Sequence, residues 1–213
     1  MRRPLLAGLC WAACAAAALP NARAAEALVV NGCPIRPATL CSQVNLKGAK
    51  LSGADLARAD LSRANLAGAD LRDAGLRAAA LNGADLREAD LGGANLDRAD
   101  LTRADAAGAK MRKASLIAAT LVDANLAGAD LSDAVLRGAE LNRARLTGAV
   151  MTGARLQGAD MTAADLKGAD LRGADLRGAI VRNAGLEGAN LTGAILEGAD
   201  FTGARVTGCQ GCP

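Results

Sequence analysis

The chain is 213 residues long and 51% hydrophobic, yet it holds no histidine, no tyrosine, one phenylalanine and one tryptophan. Its 25 basic and 22 acidic residues are interspersed along the chain, which leaves no basic stripe of the kind a nucleic-acid binder shows. Without histidine and without a glycine-rich loop joining a strand to a helix, no catalytic, cofactor-binding or metal site is indicated.

Residues 1–24 read as a secretory signal: Arg2 and Arg3, an apolar run from Leu5 to Leu19, then Ala22-Arg23-Ala24 as a small-x-small cleavage site. The run is shorter than the roughly 20 residues a membrane-spanning helix needs. A lipoprotein is the alternative, with Trp11-Ala12-Ala13-Cys14 as a poor lipobox and Cys14 as the anchor. The chain is therefore expected to be exported, periplasmic or secreted, with no membrane span elsewhere. Cleavage removes Arg2, Arg3 and Arg23 and leaves 22 residues of each sign, a formal net charge of zero.

Residues 25–45 carry Pro34, Pro37, Cys33 and Cys41 and read as a cap over the first coil of a repeat region. From 46 to 208 one unit repeats. Every fifth residue is large and apolar, from Leu46, Leu51 and Leu56 through Leu196, Phe201 and Val206, with Ala106 the one small exception. Alanine stands two places before each from Leu51 onward, Ala49 to Ala204, and the residue between is most often Asp or Asn. On an α-helix five residues advance about 500°, so these leucines would wander round every side. On a flat strand an odd spacing would send them to alternate faces. A chain that turns a corner every five residues keeps every Leu and Ala inside, and four short sides close a square coil. Stacked coils then bury one continuous column.

Segments such as Ala159-Asp160-Met161-Thr162-Ala163 and Gly168-Ala169-Asp170-Leu171-Arg172-Gly173 resemble the pentapeptide repeat proteins. The resemblance covers 33 consecutive repeats. It implies an all-β fold, a right-handed quadrilateral β-helix of about eight coils. Two functional readings follow, the second from the resemblance. One is a rigid scaffold that binds a protein partner. The other is protection of topoisomerases by imitation of DNA, which would require an acidic surface and a cytosolic address that this sequence lacks.

Within the repeat, Asp or Asn is expected to accept from backbone N–H groups at the corner, and glycine to supply the positive φ of a type II turn. Glycine occupies that corner position in 12 of the 15 repeats centred on 136 to 206 but in 7 of the 18 centred on 46 to 131. The second half is thus expected to be richer in type II turns. At four repeats per coil, residues twenty apart stack. Lys110 then lies between Asp90 and Asp130, and Lys113 beside Asp133, which predicts cross-strand ion pairs. Arg58, Arg77, Arg98, Arg137, Arg155 and Arg177 share another face with Asp55, Asp97, Asp175 and Glu197, which reads as mildly positive.

From Val135 through Glu140, Arg145 and Val150 to Arg155, five successive repeats lack Asp or Asn. With Ile117 and Val122 nearby, Val135 and Val150 suggest a small apolar interaction patch. The tail, 209–213, holds Cys209 and Cys212. Eight coils at about 4.8 Å put the ends roughly 40 Å apart, beyond the ~7 Å reach of a disulfide, so Cys33–Cys41 and Cys209–Cys212 are the plausible pairs. A redox dithiol is the lesser reading of Cys209-x-x-Cys212. Only seven residues follow Val206, too few to cover a square coil, so Leu196, Phe201 and Val206 are expected to form a homodimer end.

Overall fold

The computed structural model describes residues 28–213, and the expected signal segment and Cys14 lie outside the described residues. A hairpin comes first. Strand β1, Val29–Val30, pairs antiparallel with β2, Cys33–Pro34. Asn31 and Gly32 turn between them with φ of 48° and 78°, the two positive angles that a two-residue hairpin favours.

Beyond it the chain climbs as a right-handed quadrilateral β-helix. Thirty-one parallel bridges join residues twenty apart, from Leu40↔Asp60 to Asn190↔Gln210, with no slip of register. Three backbone bonds per repeat make the ladder. The central residue donates upward, as in Leu46 N to Asn65 O at 2.7 Å, and so does the residue two beyond it, as in Gly48 N to Ala67 O at 2.9 Å. The bridging residue donates downward, as in Asn65 N to Val44 O at 2.9 Å. A turn bond such as Ala49 N to Leu46 O closes each corner. No α-helix occurs among the described residues.

Two expectations are corrected. The solenoid starts before residue 46: Leu40 already bridges to Asp60, Cys41 fills a central position at 6% exposure, and Thr39 takes the inward alanine position at 5%. The repeat is hidden there because its inward residues are Thr and Cys. Nor are positive-φ corners concentrated in the second half. All 33 corners from 48 to 208 have positive φ, 14 of them at non-glycine residues such as Arg58, Asp73, Ala118 and Arg143. The stacked ladder imposes one corner geometry, and a non-glycine residue accepts it at a local cost.

The column is buried from Leu46 to Leu191, every central side chain being at most 1% exposed. Ala106 is fully buried, and the spacing does not contract around it: Leu86 N to Asp105 O is 2.6 Å and Ala106 N to Asn125 O is 2.7 Å. No helix of the described residues is long and apolar enough to cross a membrane.

Candidate interaction surfaces

Outward groups on this fold sit in two places, at mid-side and at the corners. The mid-side Asp and Asn residues behave uniformly. All 18 of them, from Asn45 to Asp200, accept with Oδ1 from the backbone N–H two residues on, at 2.9 to 3.3 Å. That bond satisfies the one corner donor which the ladder leaves free.

Where an arginine follows such an aspartate, its guanidinium folds back on the same carboxylate. Arg72–Asp70, Arg87–Asp85, Arg172–Asp170 and Arg177–Asp175 each close at 2.6 Å. Other pairs join successive coils, such as Arg143–Asp123 at 2.7 Å and Arg205–Glu187 at 2.8 Å. These bonds hold carboxyls low: the Arg72 hydrogen bond takes Asp70 to about 2, and the Arg177 bond takes Asp175 to about 2. Asp200 is also at about 2, first through Thr202 and then through Arg182. The expected lysine pairs do not form. Lys110 does bridge Asp90 and Asp130 in the ladder, but every ion pair among the described residues uses arginine. Asp130 pairs instead with Arg112, at 3.6 Å. An arginine's planar fork at a corner reaches a carboxylate in two bonds, which the ammonium of Lys110 at mid-side and that of Lys113 at a corner do not match.

The apolar patch is not assembled. Ile117 and Val135 lie on one side in consecutive coils, but Val122 follows Leu121 on the next side, and Val150 precedes Met151 on the side before. Corners separate them, and of the four Val150 alone counts as an exposed large hydrophobic, at 37%. Nearness in sequence does not bring these side chains together, because five residues make a quarter turn.

The ends hold the cysteines. Cys33 and Cys41 are joined, with Cα atoms 5.6 Å apart and both side chains buried; Cys209 and Cys212 are joined with Cα atoms 5.9 Å apart. Leu196 and Phe201 are half-buried at the C-terminal end, and Val206 is 36% exposed. No group of three or more Cys, Asp or Glu side chains gathers to hold a metal ion among the described residues.

One corner edge is more strongly cationic than its sequence suggests. Arg58, Arg77 and Arg98 line a groove of about 370 Å³ together with Pro37, Ala38, Asp55, Ala57 and Ala78. Among the described residues, none of the three arginines has a carboxylate within 4.0 Å. Asp97, which interrupts this edge in sequence, turns to the next coil, where it accepts from Ser115 Oγ and from Ile117 N at 3.0 Å. The signal in the sequence is Gly75, which stands where Asp or Asn usually serves the corner donor, here the N–H of Arg77.

The pentapeptide repeat model matches the chain in eight copies, over residues 40–77, 79–116, 114–153, 129–168 and 169–208. The chain belongs to the pentapeptide repeat family. Among solved structures this pentapeptide repeat protein is similar to HetL, involved in heterocyst differentiation regulation in the cyanobacterium Nostoc sp. strain PCC 7120. Identity is 35% over 79% of this chain and 87% of HetL, with a TM-score of 0.54. It is also similar to QnrB1, a plasmid-mediated fluoroquinolone resistance protein, at 20% identity over 80% of this chain and 87% of that one, with a TM-score of 0.72. At that identity the second likeness speaks for the fold alone. No curated protein sequence matches significantly.

Proposed function

We propose that this protein is an exported, non-enzymatic scaffold that presents its rigid sides to a protein partner and pairs with a second copy of itself through its C-terminal end. The observation that carries the export reading is the disulfide at each end, since such staples persist in oxidising compartments. The signal-like residues 1–24 agree with it. Pentapeptide repeat proteins serve in general as interaction modules, and here the sides offer arginine–aspartate pairs rather than a cleft with opposed catalytic groups.

The pairing reading rests on unfilled donors. The N–H groups of Leu196, Gly198, Phe201, Gly203 and Val206, whose counterparts in earlier coils donate upward, have no acceptor among the described residues. Topoisomerase protection by imitation of DNA is the lesser reading, because residues 25–213 carry equal numbers of acidic and basic groups. The first residue of the native protein tests export: a start near Ala25 is expected, and an intact Met1 overturns it. Crosslinking in periplasmic extract then identifies the partner.

A further inference from the structure

We propose that the corner edge formed by Arg58, Arg77 and Arg98 is a binding site for a phosphoryl oxyanion, whose oxygen takes the place that an aspartate carboxylate fills in other coils. Three observations meet there. The Arg77 N–H makes no hydrogen bond among the described residues, because Gly75 offers no side-chain oxygen. All 18 mid-side Asp and Asn residues put an oxygen about 3 Å from the equivalent donor, so the coil is already shaped for an oxyanion at this point. Arg58, Arg77 and Arg98 line one groove, and among the described residues none of them has a carboxylate within 4.0 Å, whereas nine other arginines of the solenoid have one.

The edge is built for access. Ala38, Arg58, Ala78 and Arg98 alternate up one ladder, so a methyl group lies between long side chains in successive coils and leaves the groove open. Arg77, on the neighbouring ladder, lines the same groove. Arg58 and Arg98 lie two coils apart, about 10 Å at about 4.8 Å per coil, a span over which guanidinium forks can grip two adjacent phosphoryl groups bidentately. One acid, Asp55, also lines the groove, and its Oδ1 is occupied by the Ala57 N–H at 3.1 Å. Pro37 closes the lower rim, within the loop that the Cys33–Cys41 disulfide ties down.

The site depends on neither export nor dimerisation. Gly75→Asp is the sharpest variant, because it restores the repeat's own oxygen. A Cβ at Gly75 meets only ordinary contacts, the nearest being Asp55 Oδ1 at 3.5 Å, and stacked aspartates already occur at Asp70↔Asp90 and Asp85↔Asp105. Titration calorimetry of the full chain with inorganic pyrophosphate, at matched low ionic strength, is expected to show saturable binding with Kd of about 1 mM or tighter. Arg77→Gln should weaken it at least about tenfold, since 1.4 kcal/mol is tenfold and a charge-assisted hydrogen bond contributes at least that. Gly75→Asp should abolish it without lowering Tm, and Arg137→Gln, outside the groove, should leave it unchanged. Co-sedimentation with phosphatidylglycerol vesicles separates sources: binding that Gly75→Asp removes identifies a lipid headgroup, and pyrophosphate binding alone identifies a soluble phosphate. No saturable binding by the unsubstituted chain, or equal affinity in Gly75→Asp, overturns the proposal.

Discussion

The two ends of the solenoid solve the same problem differently. Below the first coil, the hairpin of Val29–Val30 and Cys33–Pro34 folds over the opening, and Cys33 and Cys41 join inside it. Leu46, Leu51 and Leu56 are at most 1% exposed as a result. Above the last coil, among the described residues, lie the tail and the Cys209–Cys212 link. There Val206 is 36% exposed, and a row of upward N–H groups has no acceptor among the described residues. A column of stacked coils tolerates an open end less well than a globular core does, because the edge exposes apolar side chains and unsatisfied backbone together. The N-terminal end is covered by its own hairpin, and the proposed pairing with a second copy would cover the C-terminal one.

Breaking that contrast at the C-terminal end should give the largest effect. Phe201→Asp puts a carboxylate onto the half-buried apolar end, where pairing would desolvate it without a partner. Light scattering on the chain at tens of micromolar should report a dimer, and the substitution should weaken association by about 100-fold or more, since losing such a contact costs on the order of 3 kcal/mol. A monomer at those concentrations before substitution would show that the tail is lid enough.

The staples sharpen the same comparison through stability. A chain-entropy estimate gives the nine-residue loop of Cys33–Cys41 about 2.5 kcal/mol and the four-residue loop of Cys209–Cys212 about 2 kcal/mol. Cys33 and Cys41 are also buried against the column, so Cys33→Ser with Cys41→Ser should lower Tm more than the corresponding pair at the other end. Denaturant melts of the two double variants measure the difference. Equal losses would mean that the N-terminal hairpin seals without its disulfide.

An interior reference for both ends is Ala106. The ladder keeps its spacing there while the side chain stops at a methyl group, and Leu86 and Leu126 stack on either side. Ala106→Leu should raise stability by about 1 to 3 kcal/mol in a chemical melt. A fall instead would mean that neighbours such as Met111 already fill the site.

Most of the fold is legible in the sequence because the period is arithmetic: a five-residue spacing has one good geometric solution. The repeat's start is hidden because Thr39 and Cys41 replace Ala and Leu while pointing the same way. The corners are not legible from glycine, which reports where positive φ is comfortable, whereas the stacked ladder decides where it occurs, and Arg58 and Ala118 comply with it. The Ile117, Val122, Val135 and Val150 grouping fails because neighbouring positions lie on different sides. Arg58, Arg77 and Arg98 are visible in sequence, but only side-chain directions show that Asp97 turns away from them.

The glycine contrast between halves is testable as strain. Ala118 sits at φ 53°, a region that disfavours an L side chain, so Ala118→Gly should stabilise by up to about 1 kcal/mol, less what the freer unfolded chain takes back. Gly128, half a coil further on in the first group, and Gly178 in the second both have positive φ with no atom within 4 Å of an added Cβ. Alanine at either should cost about 1 kcal/mol, measured by melts. A markedly smaller cost at Gly178 would mean that the later coils hold their corners less tightly.

The smallest effect expected is on pH, and it returns to the last coil. Asp70, Asp175 and Asp200 have carboxyls at about 2 when folded, against about 3.9 in an unfolded chain. A carboxyl whose folded value is lowered binds its proton more readily when unfolded. Its stabilisation is therefore present above about pH 4 and is lost as pH falls from there through 2. Because these groups are solvent-exposed and screened, the loss per group is small and diminishes with added salt. Asp200 belongs to the open end, where its hydrogen bonds to Thr202 and Arg182 tie consecutive corners. Amide exchange around 191–210 should therefore accelerate as pH falls from about 4 through 2, and more than in the interior coils, which are covered on both sides. Asp200→Asn keeps an Oδ1 acceptor for the Thr202 N–H but removes the charge, so it should flatten the pH response of that end and leave the response of Asp70 and Asp175 in place. An unchanged response at the C-terminal end would place its acid sensitivity in the tail and not in the last coil's carboxylate.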